Sequence, residues 1–211
     1  DVGQNENPSS LIAAVYRGDF MDVQRLVNNG HVDEIDSLGL TALMAAAATG
    51  KIRTMKFLLC KKATVEARDT LGRTALMHAT LSSQIDAMTL LIQHRANMYA
   101  SGPDTKTPLH VAASLGLSMG VSKLIAAGVN RNFPIADGIT PLHVSCKQGM
   151  THTTMELLRS GVLIDPKTGQ GYTPLHFATA VGNTDIIAML IASGADIFNQ
   201  ALNGDTPMNL A

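Results

Sequence analysis

Three histidines recur at one spacing. His110, His143 and His176 each follow Thr-Pro-Leu, in steps of 33 residues. Imidazole is a common metal ligand, and three could build a zinc site if they converged about 2 Å from one ion. Serine, histidine and aspartate are all present, so a hydrolytic triad is available by residue type. Its usual settings are absent: the chain has no GxSxG elbow, no HExxH and no GxxxxGK[ST] phosphate loop. The glycines of GQGYT at 169–173 are spaced like part of a dinucleotide loop, yet they fit a hairpin tip better. Cys60 adjoins Lys61 and Lys62, which could lower a thiol pKa, but it has no histidine beside it. Cys146 falls in a run of small and apolar residues and is expected to be buried and inert. Neither cysteine fits a CxxC or Cys/His spacing.

Composition narrows the classes further. With 16 Lys and Arg against 17 Asp and Glu, the net charge is −1, which lacks the basic excess of a nucleic-acid binder. No apolar run approaches the roughly 18–20 residues of a membrane span; Asp185 and Asp196 bracket the most apolar C-terminal stretch. A hydrophobic fraction of 45% over 211 residues suffices for a buried core. Two lone thiols suit a reducing, intracellular compartment. Asp1 opens the chain with neither Met nor a signal-peptide pattern, as expected of a segment of a longer protein.

What positions the histidines is a repeat. Thr41, Thr74, Thr107, Thr140, Thr173 and Thr206 are spaced by 33. Two residues ahead stand Gly39, Gly72, Gly138, Gly171 and Gly204, with Thr105 breaking the column. Behind each Thr come small residues (Ala46-Ala47, Ala112-Ala113, Ser145-Cys146), then aliphatic pairs such as Leu58-Leu59, Leu91-Ile92 and Leu124-Ile125. Ser9-Ser10-Leu11 begins a degraded first copy, one residue short of the period. Each unit reads as turn, helix, turn, helix: Thr as N-cap, Pro in the first turn, and an i, i+3, i+4 apolar pattern in the second helix. Gly50, Gly116, Gly149 and Gly182 are expected to end the first helices, and Gly30, Gly128, Gly161 and Gly194 the second. Lys62, Ser83 and Arg95 occupy such glycine positions and are expected at positive φ. Gly120 inside one second helix, and Thr151, Thr153 and Thr154 in the next, are poor helix formers that need support from neighbours.

TPLHVAASLG at 107–116 and TPLHFATAVG at 173–182, each followed by the Leu-Ile pair, resemble ankyrin repeats. The resemblance spans residues 9–211 and implies an all-α solenoid of stacked helix-turn-helix pairs with β-hairpin fingers. Six repeats (9–40, 41–73, 74–106, 107–139, 140–172, 173–205) precede a truncated seventh (206–211), and 1–8 is a polar N-terminal extension. Neighbouring repeats of such a solenoid stack about 10 Å apart, so the three histidines do not meet on one ion. The resemblance implies instead that each ties its helix start to a neighbouring turn. Met44 and Met77, with Ala42 and Ala75 in place of Pro, remove that device from repeats two and three.

The family resemblance also places function on the variable positions. Fingertips and first-helix ends line a concave groove, here Tyr16, Arg17, Leu38, Leu40, Thr49, Leu71, Arg73, Leu81, Asp104, Lys106, Leu115, Asp137, Ile139, Lys147, Gln148 and Tyr172. Turn tips favour polar residues, so Leu38, Leu40, Leu71, Ile139 and Tyr172 point to a protein contact. The groove would run from a mildly basic middle (Arg73, Lys106) to an acidic end at Asp205. An aromatic cage for a modified side chain needs converging rings, whereas Tyr16, Tyr99 and Tyr172 belong to distant repeats. The expectation is therefore a non-enzymatic, monomeric module, cytoplasmic or nuclear, that binds a protein or peptide. It needs no metal, no cofactor, no nucleic acid and no membrane insertion. The alternative is a regulatory or substrate-recruiting segment of a larger enzyme, ubiquitin-ligase adaptor or channel.

Overall fold

The computed structural model describes residues 10–30, 32–102 and 105–210. Among the described residues twelve α-helices pair off along the chain. The first members are α1 (Leu11–Arg17), α3 (Ala42–Ala48), α5 (Ala75–Leu81), α7 (Pro108–Ser114), α9 (Pro141–Lys147) and α11 (Pro174–Val181). Their partners are α2 (Phe20–Asn29), α4 (Ile52–Cys60), α6 (Ile85–Gln93), α8 (Ser118–Ala126), α10 (Thr151–Arg159) and α12 (Thr184–Ala192). A 3₁₀ turn, Pro207–Leu210, starts the seventh copy. Two compact units divide between 104 and 105. The first stacks α1 on α3 on α5, with α2, α4 and α6 as the second layer. The second stacks α7, α9 and α11 against α8, α10 and α12 in the same way.

Packing explains the period. Leu43, Leu76, Leu109, Leu142 and Leu175, two places after each Thr, are almost wholly buried, and so are Leu58, Leu91, Leu124, Leu157 and Leu190. Each such side chain contributes about 1.5–3 kcal/mol when fully buried. Ala46, Ala47, Ala79, Ala112, Ala113 and Ala178 have no exposed surface, so the first helices approach closely. The poor helix formers are supported by hydrogen bonds between helices. Thr153 of α10 meets Ser118 of α8 at 3.0 Å, and Thr154 donates to Ser145 of α9 at 3.0 Å.

Left-handed residues end the helices as the glycine columns require. Lys62, Ser83 and Arg95 have φ of 65°, 58° and 60°, and Thr105 takes 58° where other copies have glycine. Gly30 departs from its column: its φ is −150°, extended backbone, so the close of α2 needs no glycine. The first copy also departs from the stated spacing. Leu11 opens α1 31 residues before Ala42 opens α3, two short of the period rather than one. The polar stretch 1–8 and Ser9 lie outside the described residues.

Candidate functional site

Between one repeat and the next, the chain forms a finger closed by a narrow pair of backbone bonds rather than a ladder. In the first unit Asp36 N–H donates to Leu40 O and Gly39 N–H to Asp36 O, and Ile35 and Thr41 form an isolated bridge. Asp69 N–H and Gly72 N–H repeat the arrangement in the next finger. The carboxylates complete it. Asp36 Oδ1 accepts the Leu38 and Leu40 amides at 2.8 and 2.9 Å, and Asp69 Oδ1 accepts those of Leu71 and Arg73 at 2.9 and 2.8 Å. Adjacent fingers are joined where Thr70 N–H donates to Leu38 O at 3.0 Å. Leu38 and Leu71 thus sit on neighbouring tips, 55% and 49% exposed.

Asp69 does more than brace its turn. Its other oxygen takes Arg73 Nε at 2.8 Å and His78 Nε2 at 2.9 Å, with the carboxylate side chain 1% exposed. Although burial opposes it, hydrogen bonding from Arg73 and His78 leaves Asp69 below the usual carboxylate range. Burial lowers His78 below the ordinary histidine value, against the pull of Asp69. The sequence pattern places Arg73 in the basic middle of the groove and does not announce this cluster. A signal for it exists in the aspartate that stands five residues before Thr41 and Thr74.

In the second unit the imidazoles do the connecting. His143 Nδ1 accepts Thr140 N–H at 3.1 Å and lies 3.0 Å from Thr140 Oγ1, while Nε2 reaches Tyr172 O of the next finger at 3.2 Å. His176 repeats this with Thr173 and Asp205 O, and His110 with the Thr107 hydroxyl and Ile139 O. An amide and a hydroxyl aimed at Nδ1 demand the Nε2–H tautomer, and a second proton on that ring would face the amide hydrogen. Burial pushes His110 and His143 down to about 4. Each ring is fixed by its own helix start and spans to the adjacent finger, so these histidines are joints. Burial likewise pushes the Cys146 thiol up to about 12, and Cys60 is exposed at the end of α4. Among the described residues no three of His, Cys, Asp and Glu gather as a metal site.

The variable positions separate into two classes. Tyr16, Arg17, Leu38, Thr49, Leu71, Leu81, Leu115, Asp137, Lys147 and Gln148 are exposed. The residues directly before each Thr, Leu40, Arg73, Lys106, Ile139 and Tyr172, are half-buried. Arg73 is held by Asp69. The Tyr172 ring packs edge-on to His176 at 5.4 Å, and its hydroxyl accepts from Asn203 at 3.0 Å. Asp104 lies outside the described residues. Exposure therefore falls at the tip two places earlier and at the first-helix ends rather than at the residue before Thr.

Stacked helix pairs, finger turns and Thr-Pro-Leu-His locks define a repeat solenoid. The family model for ankyrin repeats matches residues 1–69, 65–132 and 109–201, and the chain belongs to that family. It is similar to the human ASB11 ankyrin repeat domain at 25% identity and a TM-score of 0.86, over 95% of this chain and 90% of that one. The ankyrin repeat domain of Bcl-3, a member of the IκB protein family, aligns at 25% identity and a TM-score of 0.88, over 99% and 95% of the two chains. No curated protein sequence matches it significantly. Ankyrin repeats are a general protein–protein interaction fold and are generally not catalytic. No described helix is long and apolar enough to cross a membrane.

Proposed function

We propose that this domain holds a partner protein or peptide through its fingertips and first-helix ends, with Leu38, Leu71 and Leu81 as apolar anchors. The observation that carries the reading is the exposure of Leu38 and Leu71 on two adjacent, braced tips. A turn tip has no folding reason to be leucine, and exposed apolar groups on a preorganised ridge are the usual core of a protein contact. Tyr16 and Arg17 at the end of α1, and Leu81 at the end of α5, supply further exposed groups in the first unit. Leu115, Asp137, Lys147 and Gln148 play the same part in the second. The domain works as a monomer inside the cell, where Cys60 and Cys146 remain thiols.

The test is a triple variant, Leu38→Ala/Leu71→Ala/Leu81→Ala, compared with the native chain in affinity capture followed by mass spectrometry. Thermal melting checks that the fold is retained. Proteins held by the native chain should fall at least about tenfold, the scale of losing anchor residues. Undiminished capture by a folded triple variant would show that the fingertips are not the contact.

A further inference from the structure

Five of the chain's 16 Lys and Arg residues fall between 51 and 62: Lys51, Arg53, Lys56, Lys61 and Lys62. No Asp or Glu stands among them. They belong to α4 and its two ends, which sets this helix apart. Helices α2, α6 and α12 carry Asp22, Asp86 and Asp185 in the first turn, where the positive end of a helix stabilises a carboxylate. Helix α4 instead has Lys51 as N-cap, making no capping bond, and Arg53 close behind. Cations at that end weaken a helix, so folding does not explain them.

The charges are also uncompensated. Among the described residues none of the five is in an ion pair. Three carboxylates of the same unit are committed elsewhere: Asp22 to Arg17 and Arg25, Asp33 to the Thr64 amide and hydroxyl, Glu66 to the Asn97 amide. Arg53, Lys56, Lys61 and Lys62 are exposed. Two of them are held in place: the Arg53 guanidinium lies 4.1 Å over Phe20, and Lys61 Nζ donates to Asn28 Oδ1 at 3.1 Å and lies 5.6 Å from the centre of Phe57. Phe20 and Phe57 pack edge to face at 5.6 Å, and Met21 beside them is 74% exposed.

We propose that α4 and its flanking lysines form a second interaction surface, separate from the fingertips, for an acidic segment of a partner protein. From Lys51 to Lys62 the row extends about 16 Å at the helical rise, the length of roughly five extended residues. A segment rich in Asp and Glu matches the unpaired cations, and one apolar residue in it would meet Met21. A nucleic acid fits less well, because Arg53 and Lys61 occupy the phenylalanine faces on which bases would stack.

Fluorescence anisotropy with the intact chain and a labelled decapeptide of Glu and Asp around one Leu tests this directly. Binding should weaken roughly tenfold between 50 and 200 mM NaCl, as screening of exposed charges requires. Arg53→Glu/Lys56→Glu/Lys62→Glu should weaken it by about thirtyfold or more, and the milder triple Gln variant by about tenfold if the Glu variant fails to fold. An equal charge change elsewhere, Arg131→Glu/Arg159→Glu/Lys167→Glu, and the fingertip variant should each stay within about twofold. The proposal is overturned if the peptide does not bind or if both charge-reversed variants lose it equally. It is also overturned if single-stranded oligonucleotide or phosphatidylserine vesicles bind more tightly than the peptide.

Discussion

The two units solve the same stacking problem with different chemistry. In the second, an imidazole from each repeat crosses to the finger of the next, at His110, His143 and His176. In the first, Met44 and Met77 fill those places and are buried, and polarity moves into the finger, where Asp36 and Asp69 gather the tip amides. The second unit therefore couples its repeats by directional bonds as well as packing. The first couples them by packing, by side-chain bonds such as Asp33 to Thr64, and by the Thr70 to Leu38 backbone bond. Rigid, individually braced tips carry the exposed leucines on that side of the chain. Polarity in that unit is thus concentrated in the fingers, while Met44 and Met77 make its helix contacts apolar.

The largest expected effect comes from removing the joints. His110→Leu/His143→Leu removes the bonds to the Ile139 and Tyr172 carbonyls, which keep only the Ile135 and Thr168 amides, and strips the buried Thr140 amide of its acceptor, at a cost of about 1–3 kcal/mol per site. Hydrogen exchange of α7 and α9 amides at pH 7.5 should accelerate accordingly, while α3 and α5 amides hold. Acid makes the same comparison. A histidine held at about 4 in the fold and near 6.5 when unfolded takes up its proton more readily in the unfolded chain. Its stabilising contribution is therefore complete above about pH 6.5 and declines toward pH 4, by roughly 3 kcal/mol per residue at most. Lys106 pushes in the same direction at His110, whereas Asp137 opposes it at His143. In the first unit the depressed His78 gives a weaker slope of the same sign, and the lowered Asp69 contributes only below the carboxylate range. The second unit should lose more protection than the first between pH 6.5 and 4.5, and the double Leu variant should flatten most of that slope. Equal acid loss in both units would show that the imidazoles are not responsible.

A second, smaller contrast lies within one motif letter. Thr140 caps α9 and meets the His143 ring, whereas the Thr74 hydroxyl is buried with no partner. Thr140→Val should cost about 1–2 kcal/mol. Thr74→Val should fall within about 0.5 kcal/mol of zero, because an unsatisfied hydroxyl is exchanged for a methyl of similar shape. Urea titrations followed by hydrogen exchange in α5 and α9 separate the two. If Thr74→Val costs as much as Thr140→Val, Thr74 has a bridging partner and the units are more alike than the bonds suggest.

Much of this architecture is legible in the residues themselves. The 33-residue period, the Leu columns and the small first-helix residues can be read because packing imposes them again in every copy. Positive φ at Lys62 and Arg95 follows from glycine in the same column elsewhere. The Asp69–Arg73–His78 cluster is not legible that way, since His78 stands one place after the His column and reaches back toward its own finger. The partial burial of the residue before Thr is hidden for a similar reason: Arg73 and Tyr172 fold onto neighbours that no periodicity announces. The α4 charges show as composition, but their lack of partners needs the positions of Asp22, Asp33 and Glu66.

The smallest expected effect tests the helix ends, where the units differ by a column of glycines. Lys62 and Arg95 close α4 and α6 at positive φ, while Gly128, Gly161 and Gly194 close α8, α10 and α12. A side chain in that region costs about 1–2 kcal/mol, but glycine enlarges the entropy of the unfolded chain by an opposing 0.4–1 kcal/mol or so. Lys62→Gly and Arg95→Gly should therefore each stabilise the first unit by about 0.5 kcal/mol. Gly128→Ala should destabilise the second by a similar amount. Nothing lies within 4 Å of where its Cβ would stand, so backbone conformation alone sets that cost. Hydrogen exchange at the ends of α4, α6 and α8 reads all three. A Lys62→Gly change that destabilises would mean the Lys62 side chain makes contacts worth more than its strain, and the first unit's helix ends would then be adapted to lysine.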